Sequence, residues 1–595
     1  MFVFRPYFEA DDTYSYEFDG TMTLPAGDHK MEVWVYNPSG LPCVKIDSDS
    51  LVSDEEFKVG NNNNFLVKAK VCECGDLTPN TFAYPTRPMA WQRSWQEDGA
   101  TFYDFGKIVS VFASLESKTD ASYRLYFGET LRESKSDKDC EQVEFFALKA
   151  GEKHRSEVSK AFRYLRVTGG EDYVLTAEEE YDPVEPILCL QSENKLLDQI
   201  MEISKYTFSM CTKEFYLDGA KRDRWLWGGD AYQAYRAEYY YCYDLERIKR
   251  TTIALLGKIP VESYINTIID YTLYIVMSAW ETYEHSGDLA FLQEIAPMLK
   301  AHVEYVLSRL NGDGFQYKQK GDWVFVDWGL KETDGEQSFE QILIWAMLQK
   351  YAKILRALGD ETTAAAHEAR AAKLKAKTDE VFWDEARGAY RFARKNGVVE
   401  DKITAHASVI AVLYGFVDEQ KRERIKNALL HDESIPPLIT PYFECFKLSC
   451  LFELGCEEQA AKELETFWGG MVKAGATTFW ETYFEGETME EATAMYGRPF
   501  GRSQCHIWGA GPLYIVPRYY FGIESGVNCG DNYLVKPCLK LIQNAEITVP
   551  LKNGTLTVAY KDGTLTVYAD QTDGKVEVNG KTYTVNKGEK FNEKV

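Results

Sequence analysis

Positive charge is scarce in this 595-residue chain: 67 Lys and Arg stand against 92 Asp and Glu, a formal net charge of −25. Such a surface repels phosphate backbones and anionic headgroups, so neither nucleic acid nor a membrane is an expected partner. No run of about 18 apolar residues occurs. The amino terminus, MFVFRPYFEADD, lacks a basic stretch followed by an apolar one, and no secretory signal is read in it. The 13 cysteines, scattered from Cys43 to Cys538, show no paired metal-ligand spacing, Cys72 and Cys74 being the nearest pair. Free thiols in a reducing, cytoplasmic setting are the expectation. The eight histidines are dispersed. A GxxxxGKS/T phosphate loop, an HExxH pair, a GxSxG elbow and a glycine fingerprint after a strand are all missing, so neither a metal nor a cofactor is expected.

What the chain has in quantity is aromatic surface: 13 Trp, 38 Tyr and 32 Phe make up 14% of it. At 45% hydrophobic and 27% charged it is otherwise an ordinary globular composition, long enough for several domains. Short alternating runs such as MEVWVY (31–36) and YRLYF (123–127), broken by NPSG (37–40) and GNNNN (60–64), read as strands and loops. From residue 186 the period becomes helical, as in LLDQIMEISKYTFSM (196–210), FLQEIAPMLKAHVEYVLSRL (291–310) and QILIWAMLQKYAKILRALG (341–359). A helical unit of this length without a fixed repeat buries its apolar faces best as a closed toroid. After residue 526 strands return, with Asn553-Gly554, Asp562-Gly563, Asp573-Gly574 and Asn579-Gly580 as turn signals. The expected organisation is an N-terminal β-rich region (1–85), alone or continuous with the next unit; a β-sandwich (86–185); a helical toroid (186–525); and a small C-terminal β-sandwich (526–595).

Ten of the 13 tryptophans lie between Trp225 and Trp508, several beside carboxylates. The densest segment, FYLDGAKRDRWLWGGDAYQAY (215–235), packs Asp218, Lys221, Arg222, Asp223, Arg224 and Asp230 around Trp225 and Trp227, with Asp218-Gly219 and Gly228-Gly229 read as turns. A second, GATTFWETYFEGE (475–487), sets Glu481 after Trp480 and precedes SQCHIWGAGPLY (503–514); a third, GDWVFVDWG (321–329), holds Asp322-Trp323 and Asp327-Trp328. The structural alternatives for the three are a salt-bridged loop, a capping box at Thr477 or Thr478 with Glu481, and a plain helix connection. His406, on an apolar helical stretch, reads as a hydrogen-bonded core histidine. Taken together, carboxylates beside indoles suit a sugar, whose C–H faces stack on aromatics and whose hydroxyls bond to acids. Cleavage of a glycosidic bond needs two carboxyls in different protonation states.

DGAKRDRWLWGGD (218–230) resembles the Asp-Cys-Pro-x-Arg-Glu-x-x-Gly-Trp-x-Gly-Asp region of the bacterial α-L-rhamnosidases, glycoside hydrolase family 78. GATTFWETY resembles that family's Thr-Thr-x-Trp-Glu motif, and CHIWGAGPLYIVPRYYFGI (505–523) its closing His and Gly pattern. DFGKIVSVFASLE (104–116), YFGETLRES (126–134) and FRYLRVTGG (162–170) look like the β-sandwich preceding its catalytic domain. The resemblance implies an (α/α)6 barrel flanked by β-sandwich domains and an inverting, exo-acting glycosidase releasing terminal α-L-rhamnose, a carbohydrate being the partner. It puts the general acid on Asp223 and the general base on Glu481, and substrate contacts on Asp218, Arg222, Trp227 and Asp230. Asp327, Trp328, Trp480 and His506 follow from proximity to the motifs. An inverting pair stands roughly 6.5–9.5 Å apart. For Asp223 to hold a proton near neutral pH, Trp225 or Trp227 must exclude water, or Asp218 and Asp230 add like charge, against Arg222 and Arg224.

The departures are specific. The family's acid is Glu, Gly219-Ala220 stand for Cys-Pro, and Cys505 stands for the Asn before the late histidine. Altered specificity and lost activity both fit them. The same barrel also serves phosphorylases and uronide hydrolases, and a non-catalytic sugar-binding protein would use the same tryptophans.

Overall fold

The computed structural model describes residues 84–595 apart from Arg222 and Lys258, with short pieces between residues 3 and 71. Most of the expected region 1–85, including both loop signals at 37–40 and 60–64, lies outside the described residues; of MEVWVY, Val33–Trp34 is a strand.

Residues 86–180 form one antiparallel sheet of β1 (Thr86–Pro88), β2 (Arg93–Glu97), β3 (Ala100–Ser117), β4 (Ala121–Gly128), β5 (Gln142–Leu148), β6 (Lys153–Arg155), β7 (Lys160–Gly169) and β8 (Tyr173–Glu180). Strand order is β1-β8-β3-β7-β4-β5, with β2 and β6 also paired to β3. The 18-residue β3 serves both halves because it bends at Gly106 (φ 80°), where its register with β7 slips between Phe162 and Tyr164. A side chain at Gly106 would collide with Gln92, its Cβ lying 2.1 Å from that side chain. Asp104 fixes the bend by accepting the Gly106 N–H at 2.8 Å and the Arg163 Nε at 3.0 Å. A short helix, α1 (Leu131–Lys135), follows β4 and is capped by Thr130.

The helical unit comprises α2 (Lys195–Cys211), α3 (Gly228–Tyr241), α4 (Leu245–Leu256), α5 (Ile269–Ser286), α6 (Leu289–Ser308), α7 (Ser338–Ala357), α8 (Glu361–Phe382), α9 (Ala405–Leu413), α10 (Glu419–His431), α11 (Pro441–Glu453) and α12 (Glu457–Lys473). Helices α3, α5, α7, α9 and α11 pack side by side in chain order, and the helical segment Ile507–Ile515 closes the ring between α11 and α3. The even-numbered helices lie outside. Burial separates the two layers: α3 buries every residue, whereas α10 buries Ile425 and Ala428 alone. Capping largely separates them too. Outer helices α2, α4, α6, α8 and α10 are opened by Asn or Asp side chains that accept an amide of the first turn. Inner helices α3, α5, α7 and α9 start without such a cap; inner α11 is capped by Thr440 and outer α12 is uncapped. Each of α3, α5, α7 and α11 carries a buried acid in its first turn, Asp230, Asp270, Glu340 and Glu444, where the helix dipole favours negative charge.

Two sheets follow, one ordered Ile523–Val527, Asn532–Val535, Asp573–Val578, Lys581–Val585, the other Cys189–Gln191, Ala545–Pro550, Thr555–Lys561, Thr564–Ala569, Lys590–Lys594. Their buried residues belong to the same apolar core as the helices. Asp562-Gly563 and Asn579-Gly580 form two-residue hairpin turns with positive φ at both positions, as expected. Asp573-Gly574 does not: it opens a strand paired in parallel to Asn532–Val535, and Gly574 is required because the Tyr533 ring lies 2.5 Å from where its Cβ would sit.

Candidate active site

Gly228 and Gly229 are also not a turn. They begin α3, and the reason for glycine is contact: a Cβ at Gly229 would lie 2.4 Å from the Tyr271 ring, and one at Gly228 would lie 3.0 Å from the Tyr271 Cβ. The loop before them, residues 212–221 and 223–227, is irregular and is stitched to the segment after α12. Ala220 N–H donates to the Cys505 carbonyl at 3.1 Å and Ile507 N–H to that of Asp218 at 2.8 Å. Gly219 permits this approach, since its Cβ would lie 3.0 Å from Ser503 Oγ. His506 N–H donates to Phe479 O, and Glu481 N–H to Ser503 O. Three segments remote in sequence thus form one extended patch that aligns Asp218, His506 and Glu481.

They open on a cavity of about 290 Å³ lined by Asp218, Asp223, Trp227, Asp230, Tyr271, Trp323, Phe325, Trp328, Glu481, Tyr496, Arg498, Ser503, His506 and Trp508, with Ile268 at the start of α5. The cavity sits where the inner helices begin. Glu481 is 2% exposed; one of its carboxylate oxygens accepts the Ser503 N–H at 3.0 Å and the other the Tyr496 hydroxyl. The capping-box alternative fails here, because residues 477–483 are extended or turn rather than helical, and Thr478 Oγ1 donates to Gln504 O. Asp230 is 2% exposed, with its Oδ1 3.0 Å from His506 Nε2. Burial pushes its carboxyl up against the hydrogen bond from His506. For His506 burial acts downward, but Asp230, Glu481 and Asp218 outweigh it and hold the imidazole above its usual range. Asp218 is pushed up to about 8, chiefly by burial, with Asp230 and Asp223 adding and His506 and the Trp225 N–H opposing.

Asp223 stands exposed at this cavity, and both it and Arg224 adopt left-handed backbone, φ 54° and 50°. Two successive non-glycine residues there cost about 1–2 kcal/mol each, so the surrounding contacts must hold them. Trp225 is 54% exposed and is not part of the cavity lining.

Of the residues expected at the site, Asp218, Asp223, Trp227, Asp230, Trp328, Glu481 and His506 come together around the cavity, while Arg222 lies outside the described residues. Trp480 and Asp327 do not reach it. Trp480 is fully buried against Tyr483, and Asp327 is 1% exposed and 3.2 Å from His406 Nε2. His406 is the core histidine expected, here supporting the segment that carries Trp328. Tyr271, Phe325, Tyr496, Arg498, Ser503 and Trp508 line the cavity without having been singled out, and Trp323 had been noted only as half of an Asp-Trp pair. Trp508 had the clearest signal, two residues beyond His506; its Nε1 donates to the Glu481 carbonyl at 3.0 Å.

Helical hairpins thus close into a six-hairpin toroid around a cavity of carboxylates and indoles. Residues 187–436 match the model of the bacterial alpha-L-rhamnosidase 6 hairpin glycosidase domain, and residues 7–167 that of the alpha-rhamnosidase-like N-terminal domain of bacteroidetes. The chain thus carries a six-hairpin glycosidase domain of the bacterial α-L-rhamnosidase type and a rhamnosidase-like N-terminal domain. Among solved structures it is similar to a GH78 family rhamnosidase of Bacillus sp. GL1, with TM-score 0.71, 21% identity, and coverage of 82% of this chain and 54% of that one. A rhamnosidase from Klebsiella oxytoca with rhamnose bound gives 0.62, 21%, 72% and 89%. The α-L-rhamnosidase from Aspergillus terreus gives 0.69, 15%, 86% and 64%. The chain therefore spans about half the length of the Bacillus protein. No curated protein matches it. Among the described residues, no helix is long and apolar enough to cross a membrane.

Proposed function

We propose that this chain is an inverting, exo-acting glycosidase that releases terminal α-L-rhamnose or a close relative, with Asp223 as general acid and Glu481 as general base. The observation that carries the reading is that these two carboxyls, one on the loop before α3 and one after α12, line the same small cavity. At about 290 Å³ the cavity is at the lower end of ligand pockets, the size for one sugar ring rather than a chain. Trp227, Trp323, Trp328 and Trp508 supply faces for its C–H surfaces, and Asp218, Asp230 and His506 partners for its hydroxyls. Asp223, at the solvent-facing side, protonates the leaving oxygen as the bond to the anomeric carbon breaks. Glu481, held by Ser503 N–H and Tyr496, takes a proton from the water that attacks the opposite face.

Hydrolysis fits this lining better than phosphorolysis. Among its described residues four carboxylates face one guanidinium, that of Arg498, which is already paired with Glu141 at 3.0 Å. The test is turnover of an aryl α-L-rhamnoside followed by proton NMR. Inversion requires β-L-rhamnose to appear first; α-L-rhamnose as first product, or turnover that requires phosphate, rejects the reading.

A further inference from the structure

The family motif leaves the position of Lys221 unspecified, yet it is the most completely enclosed ion pair in the acid loop. Its side chain is 2% exposed, and its Nζ lies 2.6 Å from Glu133 Oε1, 3.4 Å from Glu129 Oε2 and 3.2 Å from the Phe500 carbonyl. Both carboxylates come from the β-sheet domain, Glu129 from the end of β4 and Glu133 from α1, and each is 1% exposed. They are themselves fixed. Glu133 Oε2 accepts the Glu129 N–H at 2.9 Å, and Glu129 accepts the Gln504 N–H at 3.2 Å, in the segment that also positions Glu481. Gln142 of β5 donates to the Lys221 carbonyl at 2.6 Å. On the far side of Asp223, Arg224 Nη1 donates to Ser159 O at 2.7 Å, again in the β-sheet domain. Asp223 and Arg224, the two left-handed residues, are thus suspended between two anchors on another domain.

We propose that Lys221 is a positioning residue for Asp223: the buried Glu129–Lys221–Glu133 triad lets the β-sheet domain set where the acid stands over the cavity. This rests on the reading of Asp223 as the general acid. A buried ion triad is a weak device for stability, since apolar or neutral replacements of all members often fold as well. As a device for register it is strong, because three charges without solvent have one arrangement that satisfies them. Among the described residues of the loop carrying Asp223, no helix or strand does this.

The experiment separates acid placement from folding by the leaving group. Protonation matters greatly for an alkyl α-L-rhamnoside and little for a dinitrophenyl one, whose phenolate departs unaided. Lys221→Met is compared with the charge-neutral triple variant Lys221→Met/Glu129→Gln/Glu133→Gln, which leaves no buried charge unpaired if the single variant fails to fold. Asp223→Asn is measured beside them. Misplacement on the ångström scale costs about 10²-fold, so kcat on the alkyl substrate should fall by that order while the dinitrophenyl substrate loses less than about threefold. A folded triple variant whose kcat falls equally on both substrates, or on neither, overturns the proposal while leaving Asp223 as acid. If Asp223→Asn shows no such selectivity, the acid assignment falls, and the proposal with it.

Discussion

The inner ring of the toroid and the β-sheet domain bury carboxylates in opposite ways. In the sheet, Asp104 is 3% exposed, yet Arg163, the Gly106 N–H and Arg93 overcome burial and keep it below the ordinary carboxylate range. In the inner ring, burial wins. Asp270 is pushed up to about 7 by it, against backbone N–H groups of Phe325 and Val326, and Glu238 up to about 7 against Asp244 N–H and Arg247. Glu340 is driven well up, first by burial and then by Asp270, and neither of its oxygens has a hydrogen-bond partner among the described residues. The sheet domain's exception is Glu129, raised to about 7 by burial, and it is one of the two acids there that reach Lys221. The sheet acid paired with arginine holds a bend; of the acids raised by burial, Asp218 and Asp230 line the cavity where protons must move, whereas Asp270, Glu238 and Glu340 lie outside its lining.

The largest test of this contrast lies at the cavity itself. Asp223→Asn and Glu481→Gln should each lower kcat on an alkyl α-L-rhamnoside by about 10³-fold with circular dichroism unchanged, the scale of general acid–base catalysis. If either loses less than about tenfold, that carboxyl is not a proton carrier. Asp104→Asn should behave in the opposite sense. It leaves Arg163 and the bend of β3 short of an acceptor, at a cost of about 2 kcal/mol in urea unfolding, while kcat stays within twofold. A large loss of kcat there would show the bend to be coupled to the cavity.

That division was only partly legible in the chain. The change of period at residue 186 marks the toroid because twelve hairpin helices need apolar stripes, and the motif segments mark the cavity because Asp218, Asp223 and Asp230 flank the start of α3. What stayed illegible is which member of an adjacent pair turns inward where the backbone is irregular: Glu481 faces the cavity while Trp480 enters the core, and Trp328 lines the cavity while Asp327 turns to His406. Tyr496 and Arg498 were missed because they sit in an irregular turn, Tyr496 at φ 55°, that no periodicity announces. Glu129 and Glu133 were invisible as neighbours of Lys221, since the pairing joins two domains.

Acids poised by burial also predict how stability depends on pH. A carboxyl with a folded value of about 7, as for Glu238 and Asp270, or about 8, as for Asp218, keeps its proton where the unfolded chain, with an ordinary value of 4.5 for Glu238 or 3.8 for Asp270 and Asp218, has lost it. Unfolding then releases protons, and stability falls as pH rises through the folded value. His285, held down to about 4 by burial, works the other way, but only below its ordinary 6.5. The window to measure is therefore pH 6.5 to 8, across which the melting temperature should fall, while the depressed acids of the sheet contribute nothing to the slope. Glu238→Gln should flatten the slope. A melting temperature that rises across this window would mean that the buried acids are ionised.

The smallest expected effect distinguishes partners inside the cavity. Tyr496 donates its hydroxyl to Glu481, but its side chain is 45% exposed, and water can take its place at the carboxylate when the hydroxyl is removed. Ser503 N–H, which is buried, holds the other oxygen and keeps Glu481 aimed. Two tendencies then oppose each other in Tyr496→Phe. Losing a donor makes the carboxylate a better base, while losing a contact lets it swing, and kcat should change by less than about fivefold, with KM little changed because Phe keeps the ring against Trp328. A fall of about 10²-fold in kcat would place Tyr496 among the groups that move protons, and the exposed rim of the cavity would then belong with its buried floor.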